Sequence, residues 1–267
     1  TVSLEDYKDL VLEKLQNVKP ASKPSPEILP PIAEIDEGSK DEEDDDEPVE
    51  AVYATEYRRL VARANYLTQD RSDIRYATKE LSRHMSKPRK RDWRALVRLG
   101  KYLIGRERYI AKFDYDRKVD KIHVWTDTDY AGCRDTRKST SGGLLMIGNH
   151  MIRSWSSTQR VIALSSGEAE YYGMVRGGAE GMGTRSILED TGTYMKIKLS
   201  EDSTAAKCIA DRTGLGKVRH IEVNQLWIQE KVRNKDIELA KVKGTENLAD
   251  ALAKHIDAED MRKHIRG

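Results

Sequence analysis

Apolar residues recur at two different periods along this chain, and the change of period divides it. Between 52 and 104 they fall three and four apart, the spacing of helices with one buried face. Ser72 can cap a helix over 73–85 that carries Ile74, Ala77, Leu81 and Met85 on one side, and Pro88 stops it. A second helix over 92–104 turns Trp93, Leu96, Val97, Leu103 and Ile104 inward. Residues 108–115 alternate and predict a strand, so 52–115 reads as helical and then extended. From 119 onward the alternating period predicts strands over 121–127, 142–148 and 151–156. The turn Gly148-Asn149-His150 joins the last two. Helices are expected over 165–189, 203–211 and 220–233, strands over 196–201 and 237–243, and a final helix after Asn247.

The first fifty residues obey neither period. A short helix over 3–18 is conceivable, with Leu4, Leu12, Leu15 and Val18 as its apolar points. Residues 19–50 hold six of the seven prolines and the block Asp41-Glu42-Glu43-Asp44-Asp45-Asp46-Glu47. Such a segment cannot bury enough apolar surface to order itself. The expected organisation is therefore a largely disordered, Pro-rich acidic arm over 1–50, a helical part over 51–117 and a larger α/β domain over 118–267.

Charge sharpens that division. The formal net charge of +2 is the sum of two opposed parts. Residues 1–50 carry 16 acids against 5 bases, a net of −11, and the remainder carries 42 bases against 29 acids, a net of +13. A basic body suits a polyanionic partner. The two cysteines, Cys133 and Cys208, form neither a CxxC nor a zinc spacing and read as thiols of a reducing compartment. No apolar run approaches the length of a membrane span, and no signal peptide is visible. A start at Thr rather than Met suggests a fragment or a processed product.

Four acids stand where a carboxylate has no evident stabilising role. Asp127 ends the strand Ile122-His123-Val124-Trp125-Thr126. Glu170 opens the long helix, Asp202 lies between a strand end and a helix, and Asp250 sits in the first turns of the last helix. Carboxylates converging from such positions repel each other unless divalent cations neutralise them, which is the layout of two-metal phosphodiester hydrolysis. Each has a rival or a plainer role. Asp129 competes with Asp127, and Glu168 competes with Glu170. Asp202 can serve as an N-cap. Asp250 can be an ordinary first-turn acid. Gly173, Gly177 and Gly181 favour Glu170 over Glu168. They form a stripe at spacing four on Glu170's side, and glycine costs about 1 kcal/mol in a helix interior, so close packing against the sheet is the expected reason. Arg134, Arg137 and Lys138 with Ser139, Thr140 and Ser141 form a basic, hydroxyl-rich hairpin beside Asp127, suited to phosphate and ribose contacts.

Several stretches resemble the ribonuclease H domain of retroelements, and in particular the Copia-class long-terminal-repeat retrotransposon polyprotein. They are Thr126-Asp127-Thr128-Asp129-Tyr130-Ala131-Gly132, Arg137-Lys138-Ser139-Thr140-Ser141-Gly142, Ser154-Trp155-Ser156-Ser157, Ala163 through Tyr171, Arg219-His220-Ile221 and Leu248-Ala249-Asp250. The resemblance runs over about 52–265. It implies a ribonuclease H-like mixed sheet flanked by helices, an order that the expected elements match. It also implies that 51–117 is the end of a reverse transcriptase. The paired aspartates of a polymerase and the zinc motif of an integrase are absent.

The activity implied is cleavage of the RNA strand of an RNA/DNA hybrid, with Asp127, Glu170, Asp202 and Asp250 as catalytic metal ligands for two Mg²⁺ ions, Mn²⁺ serving as a substitute. Arg134, Arg137, Lys138, Ser139, Thr140 and His220 are the implied substrate contacts. His220 can equally pack or cap. The loop 242–247, where many cellular relatives carry a mobile histidine, has none. Implied partners are the hybrid and other subunits of the polyprotein, with no membrane, in a cytoplasmic particle or the nucleus. The alternative is a domesticated copy that keeps the fold as a nucleic-acid-binding or scaffold subunit.

Overall fold

The computed structural model describes residues 46–115, 119–216, 220–256 and 260–261. The expected helix over 3–18 and most of the acidic arm lie outside these residues. Two compact units are present, dividing between Ala111 and Lys112, with His255–Met261 assigned to the first. Among the described residues no helix is long and apolar enough to cross a membrane.

The first unit is helical. Helix α1 (Ala51–Leu67) buries Tyr57, Leu60, Val61 and Ala64, spaced three and four apart as one helical face requires. A 3-10 turn, Ser72–Ile74, leads into α2 (Arg75–Arg83), and α3 spans Lys90–Gly105. The three helices share a core of Tyr57, Leu60, Val61, Ile74, Leu81, Leu96 and Leu99. Two polar contacts lock it. The Tyr57 hydroxyl donates to the Leu81 carbonyl at 2.8 Å. Buried Asp73 accepts from Arg71 Nε at 2.9 Å and Nη2 at 2.7 Å, and from the Tyr102 hydroxyl at 2.8 Å.

Residues 108–115 form no strand. Their alternation is real, but no neighbouring strand pairs with them. Ile110, Phe113 and Tyr115 are exposed, so the pattern has no buried face to serve.

The second unit is a five-stranded mixed sheet in the order β3-β2-β1-β4-β5. Strands β1 (Lys121–Asp129), β2 (Thr140–Ile147) and β3 (His150–Thr158) form an antiparallel meander. Strands β4 (Lys196–Glu201) and β5 (Ile237–Lys241) add in parallel on the other side of β1. The 25-residue helix α4 (Ser166–Asp190) connects β3 to β4 across one face. Helix α5 (Thr204–Asp211) and helix α6 (Trp227–Arg233) lead to β5. The expected helix over 220–233 is shorter, because Glu222 is extended and a 3-10 turn, Val223–Gln225, intervenes. Helix α7 (Asp250–Ala253) is a single turn against the opposite face.

This is the mixed sheet flanked by helices that the resemblance implies, in the element order that the alternating and helical periods predict. Its main core lies between the sheet and α4 and includes Ile122, Val124, Leu145, Tyr171, Met174, Ile197, Leu199 and Ile237. A smaller cluster, Leu144, Met146 and Leu252, seats α7.

The glycine stripe of α4 packs on the sheet. A Cβ at Gly173 would stand 2.7 Å from Thr128 Oγ1, and one at Gly177 would stand 2.5 Å from Thr126 Cγ2 and 3.1 Å from Val124 Cγ1. At Gly181 it would meet Ile197 and Val124 at 3.1 and 3.2 Å. Gly183, by contrast, has nothing within 4 Å of such a Cβ. We therefore expect opposite outcomes from one substitution at two sites in the same helix. Gly183→Ala should gain up to about 1 kcal/mol from helix propensity. Gly177→Ala should lose about 1–3 kcal/mol through overpacking. Urea denaturation measures both, and equal shifts of the same sign would show that the stripe does not seat the helix.

Candidate active site

Strand register places the first carboxylate. Ile122, Val124 and Thr126 are fully buried toward α4, so alternation sends Asp127 to the other face at the end of β1. Its cross-strand partner is Gly142. A Cβ at Gly142 would lie 2.5 Å from Ala253 N and Leu252 C. The bare backbone there lets α7 come down beside Asp127 and brings Asp250 with it.

Asn247 fixes the approach. Its Nδ2 donates to the Thr126 carbonyl at 2.8 Å, and its Oδ1 accepts from Ala249 N at 3.1 Å. Lys254, one turn past Asp250, lies 3.1 Å from Asp250 Oδ2 and 3.5 Å from Asp127 Oδ2.

The first turn of α4 is tied down with equal care. Ser165 caps it by accepting from Glu168 N. The Ala169 carbonyl accepts from Thr128 Oγ1 and from buried Gln159 Nε2. The buried carboxylate of Glu168 accepts from Leu164 N at 2.9 Å and the Tyr172 hydroxyl at 2.9 Å, and its Oε2 lies 2.7 Å from His220 Nε2. Glu168 is thus occupied in holding the turn. Glu170, in the same turn, reaches the end of the sheet instead.

At that end, ligand-type oxygens of Asp127, Glu170 and Asp202 all lie within 4.8 Å of one another. Asp250 stands beside Asp127, near enough that its charge raises the Asp127 pKa, and Lys254 reaches both carboxylates. Asp202 does not cap α5, since Ser203 does so by accepting from Ala206 N. Asp129 is not in the group, and its carboxylate instead sits over Gly132.

A fifth carboxylate, Glu201, escapes a sequence reading. It is 2% exposed, accepts from Thr126 Oγ1 at 2.6 Å and from Asp202 N at 3.1 Å, and its charge bears on Glu170. The signal was there: Ile197, Leu199 and Glu201 share the inward register of β4.

Crowding acids in a buried place raises their pKa values. Burial, then the Asp250 charge, pushes Asp127 from 3.8 up to about 7 despite Lys254. Burial, then Glu201 and Asp127, lifts Glu170 to about 11. Burial lifts Glu201 to about 8, although its bond from Thr126 pulls the other way. Asp250 is also raised, by burial, with Lys254 opposing.

The group needs protons or cations. Asp127 Oδ2, Glu170 Oε2 and Asp250 Oδ1 are buried without a hydrogen-bond partner, and hard carboxylate oxygens are the donors that Mg²⁺ and similar ions take. The cluster of Asp127, Glu170 and Asp202 therefore has the donor chemistry to hold a divalent cation, with Asp250 beside it.

The residues expected to touch substrate divide in two. Arg134 and Arg137 are exposed and Lys138 is half-buried in the turn after β1. Arg137 holds φ +57° there, and its N–H donates to the Cys133 carbonyl at 2.7 Å. Ser139 and Thr140 are buried, and Ser139 Oγ accepts from Ala131 N. His220 is exposed and held by Glu168.

An antiparallel meander extended by two parallel strands, with carboxylates gathered at the end of its central strand, defines a ribonuclease H-like domain. No family model matches the chain. It is similar to the retrovirus-related Pol polyprotein from transposon RE1 of Arabidopsis thaliana, 31% identical over 204 residues, which are 75% of this chain and 14% of that protein. It is also similar to the corresponding polyprotein from transposon TNT 1-94 of Nicotiana tabacum, 28% identical over 258 residues, 95% of this chain and 19% of that one.

Among solved structures, LC11-RNase H1 isolated from compost overlaps 54% of this chain and 97% of its own, at 18% identity and a TM-score of 0.36. The strand order and register, rather than an overlap of that size, define the fold. Its homologues are retrovirus-related Pol polyproteins of Copia-like transposons. It spans less than a fifth of the length of these two relatives.

The raised pKa values fix the sign of a pH effect. A carboxyl held above its unfolded value takes up a proton on folding. Its contribution to stability is full below the ordinary values of 3.8 and 4.5, and is lost as pH rises through about 7 for Asp127 and about 8 for Glu201. In EDTA, Asp127→Asn should therefore melt close to wild type at pH 5 and above it at pH 8. Each kcal/mol of repulsion removed corresponds to about 2–4 °C. Mg²⁺ should raise the wild-type midpoint at pH 8 and leave the variant's largely unchanged. A gap between the two proteins that is constant from pH 5 to 8 would contradict the crowding described here.

Proposed function

We propose that this chain is the ribonuclease H part of a retrotransposon Pol polyprotein and hydrolyses the RNA strand of RNA/DNA hybrids. One observation carries the reading. Asp127, Glu170 and Asp202 place oxygens within 4.8 Å of one another, Asp250 is coupled to them through its charge on Asp127, and Asp127, Glu170 and Asp250 each present a buried oxygen with no hydrogen-bond partner. Such a group is unfavourable for stability and suited to divalent cations.

Two such ions, when bound, activate water and stabilise the leaving oxygen of a phosphodiester. The chain's own residues do the remaining work. Asp127, Glu170, Asp202 and Asp250 hold the charge at a rigid sheet end, and Gly142 and Asn247 keep α7 against it. Arg134 and Arg137, exposed in the turn after β1, suit backbone phosphate contacts, with Lys138 beside them. Recognition of a hybrid rests on its minor-groove shape and on the 2′-hydroxyl of the RNA strand. Lys254, whose pKa is raised as Asp127 and Asp250 outweigh its burial, keeps a positive charge at the edge of the group.

The test is cleavage of an end-labelled RNA/DNA hybrid. We expect Mg²⁺-dependent cuts in the RNA strand, none with EDTA and none in a DNA duplex of the same sequence. Asp127→Asn should lower the rate roughly 100-fold or more, as removal of a group acting on the transition-state charge does, while the variant stays folded. A variant cutting at the wild-type rate, or cleavage that survives EDTA, would overturn the assignment.

A further inference from the structure

The positive charge of this chain is concentrated in the helical part over 51–111. Residues 51–111 hold 16 bases against 6 acids, a net of +10, and residues 112–267 hold 26 against 23, a net of only +3. Within the first unit the bases are ordered. On α3, Lys90, Arg94, Arg98 and Lys101 recur at spacings of four, four and three, which places them along one side of the helix. The inward side carries Leu96, Leu99 and Gly100.

The start of this stripe already holds an anion supplied by the chain itself. Asp46 pairs with Arg89 and, at 3.3 Å, with Arg91, and Glu47 Oε2 lies 2.7 Å from Lys90 Nζ. Backbone contacts fix the register. Pro48 and Arg89 form an antiparallel bridge. Val49 N donates to the Pro88 carbonyl at 3.1 Å, and Lys90 N donates to the Glu47 carbonyl at 2.9 Å. In sequence, Asp46 and Glu47 close the seven-residue acidic run that begins at Asp41.

We propose that the basic side of α3, beginning at Arg89, Lys90 and Arg91, is a surface for the phosphate backbone of a nucleic-acid duplex, and that Asp46 and Glu47 occupy it in cis as a competitor. The geometry suits competition rather than permanent closure. All the partnered side chains are between 38% and 58% exposed, and exposed ion pairs are weak and screened by salt. A phosphate backbone presents charge at far higher density than two carboxylates, and gains further from counterion release. The acidic segment would then set a threshold. Sparse anions are excluded, and a duplex displaces the segment and follows the stripe. The proposal is independent of the nuclease reading, because it concerns binding in the absence of divalent metal.

The experiment measures the affinity of the full chain for a fluorescent RNA/DNA hybrid in EDTA, so that binding and cleavage are separated. Three proteins are compared from low to high salt: wild type, Asp46→Asn with Glu47→Gln, and that pair combined with Lys90→Gln, Arg91→Gln and Arg94→Gln. The first variant should bind at least ~3-fold tighter than wild type at low salt, with a steeper salt dependence of about 0.9 in log–log slope per added phosphate contact. The difference should vanish at high salt. The combined variant should lose the gain. Asp46→Asn and Glu47→Gln keep side-chain size, none of the exchanges touches the Pro48–Arg89 backbone bridge, and thermal melts confirm folding. Equal affinities of wild type and the first variant at low salt would overturn the proposal. So would a gain that persists in the combined variant, which would place the duplex elsewhere.

Discussion

Electrostatic repulsion among buried carboxylates is the constraint around which the second unit is built. Five acids, Asp127, Glu170, Glu201, Asp202 and Asp250, meet near the end of one strand, where burial of Asp127, Glu170 and Glu201 removes water that would otherwise screen them. Nothing in folding favours such a gathering. It persists because each acid is fixed by backbone that the core holds for other reasons. Asp127 follows the buried alternation of β1. Glu201 and Asp202 end β4, whose Ile197 and Leu199 are core. Glu170 and Asp250 arrive on helices held by capping and by the bonds from Gln159 and Asn247.

Close approach follows from that constraint. Oxygens of Asp127, Glu170 and Asp202 within 4.8 Å of one another require α4 pressed against the sheet, and Asp250 reaches Asp127 only because α7 is pressed against the other face. Small residues make this possible: Gly173, Gly177 and Gly181 on the α4 face, and Gly142 under α7. The glycines weaken α4 as a helix and are retained where a methyl group would collide with Thr128, Thr126 or Val124. Local propensity is thus given up where the site needs geometry, which is where sequence rules are expected to fail. Lys254 is part of the same balance, a cation of the chain's own at the edge of the acidic group.

Much of this was legible beforehand, and the reasons for the exceptions are physical. Strand alternation and Gly148-Asn149-His150 located the meander, and the glycine stripe pointed to the face of α4 that packs on β1. Glu168 and Glu170 were separable because a helix sends them to different sides. Glu201 was missed because, beside Asp202, it reads as a solvated strand-end acid. Only its register with Ile197 and Leu199 shows that it points inward. Asn247 and Lys254 act across more than 120 positions of sequence on Thr126 and Asp127, and no local pattern encodes that contact. The alternation at 108–115 misled because periodicity reports a possible face, and a strand also needs a neighbour. The arm's charge was visible, but the pairing of Asp46 and Glu47 with Arg89, Lys90 and Arg91 depends on the turn before α3.

The central claim is that the acidic group exists to hold divalent cations, and metal placement tests it most directly. Crystals of the chain soaked in Mn²⁺ should show anomalous scattering between Asp127, Glu170, Asp202 and Asp250, with two sites about 4 Å apart. Asp127→Asn crystals should lose at least one of them. Crystals that take up Mn²⁺ elsewhere, or in which the Lys254 ammonium remains against Asp127 with no ion in the group at saturating metal, would contradict the account.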